Sequence, residues 1–241
     1  MLRPAFWILV IPSLWAQSEP KFSPENSRYA SLERGRKVGK GEERSRIVVF
    51  AKSGQQLAIA HIWNVTPDGV QMGDTPRGCE DWGWIDKDRL FCQGSINPWT
   101  EAYLVFDASS GRELGVGLGT SFTWSPDGRR LANFGVGRET DSFDISGKTA
   151  WPPAGSKEHR WFRSELTWSP DSKRIAVIEQ RRLAAGLFLI VVDGVGPPRA
   201  FPIQGVASWD EDDHGRRDLR IEWSDPEILV FSGGEAQVVR P

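Results

Sequence analysis

The sequence predicts an all-β fold, a β-propeller of about five four-stranded blades, and three observations carry that prediction. Nearly the same twelve residues occur twice, SFTWSPDGRRLA at 121–132 and ELTWSPDSKRIA at 165–176. From residue 46 onward no segment sustains the 3.6-residue period of a helix. Short apolar runs alternate instead with Gly, Pro, Asp and Ser. Those runs fall into sets of three or four that recur roughly every 40 residues, the spacing of propeller blades.

The repeats align on the aromatic that precedes each turn. The matches are 48–50, 82–84, 122–124, 166–168 and 219–223, ending at Phe50, Trp84, Trp124, Trp168 and Trp223. Within each, the apolar residues stand two apart and so face one side of a strand. In Ser125-Pro126-Asp127-Gly128 the proline presets φ, Asp suits the second central position, and Gly accepts a left-handed exit. The second copy, Ser169-Pro170-Asp171-Ser172, lacks that glycine. Second strands are expected at 57–60, 90–92, 131–134, 175–178 and 228–231, and third strands at 62–65, 103–106, 143–145 and 187–192. Fourth strands fall at 70–72, 113–116, 148–151 and 199–203. The last repeat has only three, 219–223, 228–231 and 236–239. An open ring would leave an unpaired edge. A strand from 36–47 is therefore expected to supply the missing outer strand, the alternative being an incomplete propeller that closes by dimerising.

Residues 1–16 read as a signal peptide. Arg3 is a short positive region, 5–15 is an apolar run too short to span a membrane, and cleavage is expected near Ala16. The protein is thus expected outside the cytoplasm, in the periplasm or beyond. No later stretch is apolar enough for a membrane span. Residues 17–45 read as a polar linker or arm, because Glu33, Glu42 and Glu43 are interleaved with Arg34, Arg36, Arg44 and other basic residues. The propeller domain is then 46–241. Cys79 and Cys92 flank a turn at 86–88, which would bring them together on adjacent strands as a disulfide. A net charge of −2 argues against a nucleic-acid partner.

The Trp-Ser-Pro-Asp-Gly turn at 124–128 and its copy at 168–172, each followed by an apolar strand, resemble the TolB-like, WD-like propeller repeats of exported bacterial proteins. The resemblance covers about 46–241. It implies the fold and leaves the function open, because propellers serve many roles.

Strand alternation gathers the longer loops on one face: 73–81, 93–100, 152–160, 179–186 and 206–218. That face is where a rigid scaffold carries its site. The candidate binding residues are Arg77, Asp81, Trp99, His159, Arg160, Arg181, Arg182 and Trp209. Arg181 and Arg182 beside Glu179 suit a carboxylate or phosphate, unless they form only an exposed hairpin tip. Trp99 and Trp209 suit stacking on a sugar or peptide side chain, unless they wedge between blades. Asp210, Asp212, Asp213 and His214 offer oxygens to a hard cation such as calcium, or form a solvated acidic loop. No nucleophile elbow, His-Glu-x-x-His or phosphate-cradling glycine loop is present. The expectation is a non-enzymatic scaffold binding a protein or peptide in the cell envelope, without an obligatory cofactor. The alternative is a metal-assisted hydrolase or lyase using 210–214.

Overall fold

A computed structural model of the chain describes residues 18–135, 142–146, 148–152, 160–181, 186–193, 197–204, 219–224, 227–232 and 235–240. Its described elements are all β-strands, arranged in four antiparallel sheets. The first sheet comprises β1 (Lys21–Phe22), β2 (Arg28–Arg34), β3 (Lys37–Val38), β4 (Gly41–Ala51) and β5 (Gln56–Val65), with β4 pairing β2, β3 and β5. The second runs in chain order through β6 (Asp81–Trp84), β7 (Arg89–Asn97), β8 (Thr100–Asp107), β9 (Glu113–Trp124), β10 (Leu131–Phe134), β11 (Phe143–Ile145) and β12 (Lys148–Trp151). The third holds β13 (Arg160–Phe162), β14 (Thr167–Trp168), β15 (Arg174–Arg181), β16 (Leu187–Asp193) and β17 (Arg199–Ile203). The fourth is β18 (Arg220–Ser224), β19 (Glu227–Ser232) and β20 (Glu235–Val239). The chain forms two compact units, Met1–Cys92 with Val105–Leu114, and Gln93–Leu104 with Gly115–Pro241.

The stretch read as a linker is largely strand. Its interleaved charges are cross-strand partners: Glu33 lies opposite Arg46 on the β2–β4 ladder, and Arg46 Nε and Nη2 both donate to Glu33 Oε2, at 2.8 and 2.6 Å. Gly35, read as a linker residue, is needed for close approach, since a Cβ there would sit 1.9 Å from the Glu43 carbonyl oxygen. Opposite charges one strand apart look the same in sequence as charges on a solvated arm. The expected closing strand is corrected for the same reason. Residues 37–38 and 41–47 pair inside the first sheet, and among the described residues the fourth sheet has three strands.

The match assigned to Phe50 is also displaced. Phe50 lies in β4, between β2 and β5. The copy of the repeated turn that the first sheet uses is KFSPENSRYASL, 21–32, with Phe in place of Trp. Its backbone matches the other two. The residues leaving the turn, Asn26, Gly128 and Ser172, have φ of 53°, 67° and 62°. Each turn serine, Ser23, Ser125 and Ser169, donates its N–H to the carbonyl five residues on, at 2.9, 2.8 and 2.8 Å. Each serine hydroxyl accepts from that same residue's N–H, at 3.2, 3.0 and 2.9 Å. The alanine two residues further along, Ala30, Ala132 or Ala176, is fully buried in all three.

The twelve-residue repeat also builds the contact from one copy to the next. The Trp168 indole N–H donates to the Thr123 carbonyl, the residue before Trp124, at 3.2 Å. The Trp223 indole donates to the Thr167 carbonyl, the residue before Trp168, at 3.0 Å. The Trp84 indole donates to the Lys21 carbonyl, the residue before Phe22, at 2.9 Å. The arginine six residues after each leading aromatic covers the next tryptophan: Arg28 over Trp84, Arg130 over Trp168 and Arg174 over Trp223, at 5.5, 4.8 and 4.9 Å. Trp124 differs, donating to the Tyr103 hydroxyl at 2.7 Å. Ser172, in the place of a glycine, accepts from the Asp127 N–H of the preceding turn at 2.9 Å, which compensates its left-handed backbone.

Two features hold the rest in place. Gly119 of β9, with φ of 153°, allows the Phe134 carbonyl to approach where a Cβ would meet it at 2.0 Å. Apolar side chains of β15, β16, β18 and β19 then form a common core: Ile178, Leu187, Leu189, Ile221, Ile228 and Val230 are all buried.

Candidate functional site

The site is built at the end of β15, where Glu179 and Arg181 stand two apart and share a face. Arg160 of β13 is directly opposite Arg181 on the ladder, and Phe162 is opposite Glu179. Like charges directly opposed repel, so this pair needs an anion between them. Glu179 supplies it. Its side chain is fully buried, its Oε1 accepts from Arg181 Nε at 2.5 Å, and its Oε2 lies 3.4 Å from Arg160 Nη1. The Trp151 indole of β12 donates to the same Oε2 at 2.5 Å. Both guanidiniums also rest on rings, Arg160 over Trp151 at 5.3 Å and Arg181 over Phe188 at 4.3 Å. Beside them Arg163 covers Trp161 and donates to Gln180 Oε1 at 2.9 Å.

This arrangement is held firmly because removing either partner of a buried ion pair strands the other's charge. In it Glu179 is the carboxylate that both guanidiniums share. Arg160 is 3% exposed and enclosed, whereas the Arg181 side chain is 19% exposed.

The sequence candidates divide around this cluster. Arg160 and Arg181 come together in it. Trp99 lies at the tip of the β7–β8 hairpin, 82% exposed, with its N–H capped by Asn97 Oδ1 at 2.9 Å. It therefore does not wedge into a core. Arg77 is exposed on the segment before β6. Asp81 is an N-terminal residue of β6, pairing with Lys21 Nζ at 3.7 Å and accepting from the Trp82 N–H at 2.8 Å. Its contacts are local and tie β1 to β6. Cys79 and Cys92 form a disulfide with their Cα atoms 5.4 Å apart. His159, Arg182, Trp209, Asp210, Asp212, Asp213 and His214, like the signal-peptide residues 1–16, lie outside the described residues.

Two side-chain groups escaped the sequence reading. Trp151 falls in the expected fourth strand at 148–151, and nothing in its own neighbourhood points to a glutamate 28 positions away. Glu43 was hidden in the supposed linker. Its side chain is fully buried, with Oε1 bonded to His61 Nδ1 and Oε2 without a partner, and the His61 ring stacks on Trp63 at 5.1 Å. Burial alternates along β4, so Glu43, Ser45 and Ile47 point the same way, but the polar run at 41–46 carries no apolar alternation that would reveal it.

The fold and site define a class: a repeat-built, all-β protein whose irregular strand ends carry buried charge. No protein-family model and no curated protein matches the chain. Among solved structures it is similar to the β-propeller domain of the Trilobed protease from Pyrococcus furiosus, which has an open velcro topology. That match has 14% identity and a TM-score of 0.41, covering 92% of this chain and 67% of that one. It is also similar to TolB from Acinetobacter baumannii, with 14% identity, a TM-score of 0.34, and coverage of 92% of this chain and 53% of that one. A eukaryotic initiation factor matches at 12% identity and a TM-score of 0.43, covering 89% of this chain and 60% of that one. The chain thus spans between about half and two thirds of the length of these three structures.

Proposed function

We propose that the protein is an exported, non-enzymatic β-propeller scaffold that holds a protein or peptide partner at the end of the blades where second and third strands turn. In this reading β9 serves two blades, its first half closing one and its second half opening the next. The four hydrogen-bonded sheets then make about five blades. The observation that carries the proposal is Trp99. A tryptophan left 82% exposed on a capped hairpin tip keeps a large flat apolar face in water. Tryptophan and arginine are the residues that dominate protein interfaces when a partner desolvates them. The corresponding turn of the third sheet follows Arg181, so both residue types leave their sheets at equivalent turns. Among the described residues no helix is long and apolar enough to cross a membrane.

Photo-crosslinking tests the proposal. A photoreactive residue at position 99 of the full chain should trap a discrete partner in cells, and one at exposed Leu57 should not. Equal trapping at both positions, or none at 99, rejects this surface. A cation at 210–214 is proposed separately, and added calcium should then raise the melting temperature.

A further inference from the structure

We infer that Arg181 is an anion-anchoring residue, and that the ligand group it takes is a carboxylate or a phosphoryl oxygen pair. The inference rests on the binding-scaffold reading, but its test reads Arg181 without reference to Trp99. Three of its surroundings point the same way. Glu179 engages Arg181 only through Nε. Phe188 covers one face of the guanidinium at 4.3 Å. The two terminal nitrogens have no partner among the described residues, although the side chain is four-fifths removed from solvent. An arginine held by Nε and by one face presents its remaining N–H edge in a fixed plane. That edge matches two oxygens of one carboxylate or phosphate.

The fixed carboxylate excludes a simple cation site, because its oxygens already accept from Trp151 and Arg181. Most of the ordering cost of an arginine side chain is met before the ligand arrives, which favours even a small anionic group.

The test uses the full chain labelled with ¹⁵N-arginine. Arg181 Nε–H, bonded to a buried oxygen, should give a protected side-chain resonance, identified by its loss in Arg181→Gln. It is titrated with inorganic phosphate, with acetyl-Gly-Gly bearing a free carboxylate, and with the same dipeptide as its amide. The expected result is a saturable shift with one or both anions and none with the amide. Response to the dipeptide alone identifies a peptide carboxylate, and response to phosphate alone a phosphoryl group. Arg181→Lys, which keeps the charge but not the fork, should weaken the response at least about tenfold. Its backbone spectrum reports that the fold is intact. No saturable shift at tens of millimolar anion overturns the inference. So does an equal response to the amide, or an unweakened response, read on the backbone amides around position 181, in Arg181→Lys.

Discussion

The two ends of β15 each carry an arginine stacked on an aromatic ring, and they serve opposite purposes. At the N-terminal end Arg174 covers Trp223, while its own N–H closes the Ser169 turn. At the C-terminal end Arg181 covers Phe188, but its guanidinium is anchored by buried Glu179 and its terminal nitrogens have no partner among the described residues. The first end is the repeated one. Its parts recur around Phe22 and Trp124 with the same turn, the same backbone bonds and the same arginine. The second end is not repeated: the positions equivalent to Glu179 and Arg181 are Glu33 and Gly35 in the first copy and Gly135 and Gly137 in the other, so neither carries a Glu-x-Arg. Repetition marks what must be the same in every copy, namely the way one copy grips the next. A departure from repetition marks where one copy does something the others do not.

That contrast makes the two ends separable by mutation. The largest effect is expected from Glu179→Ala, which removes the buried carboxylate that Arg160 and Arg181 share. It should cost about 3–5 kcal/mol in denaturant melts. A cost under about 1 kcal/mol would mean that the cluster is solvated and not a fixed site. At the repeated end, Trp223→Phe keeps the ring and removes the hydrogen bond to Thr167, so about 1 kcal/mol is expected. Trp168→Phe should match it, since the bond to Thr123 is equivalent. Unequal values would show that the two copies are not interchangeable. Arg174→Ala removes the stacking on Trp223, which should cost roughly 0.5–1 kcal/mol.

The smallest effect is a pH dependence confined to the turns. The Ser125 hydroxyl holds Asp127 below the ordinary carboxylate range, and the Ser169 hydroxyl does the same for Asp171. Hydrogen bonds from Ser109 and Ser110 bring Asp107 to about 2. Because these values are lower in the folded chain, their stabilisation is complete above the unfolded value. It is lost as pH falls through the folded one. Carboxyl NMR titrations should therefore place all three below 3.8, and Ser125→Ala should raise Asp127 alone. A matching rise of Asp171 in that variant would contradict independent turns.

The sequence alone determined most of the strands and turns from residue 46 onward, because each depends on a few adjacent residues. Period-two alternation places side chains on one face, and a Ser-Pro-Asp turn closes on its own hydroxyl. The two clear copies were legible for that reason. The copy at 21–32 was not, since Phe replaces Trp and Glu-Asn replaces Asp-Gly, and its identity shows only in shared backbone bonds and in the Trp84 contact. Tertiary structure alone decided which charges meet. Glu33 with Arg46, and Glu179 with Arg160 and Trp151, are joined by ladder register and by strands far apart in the chain. A charge carries no local sign of its partner, because the Coulomb energy depends on the distance that folding creates and on the water that folding removes.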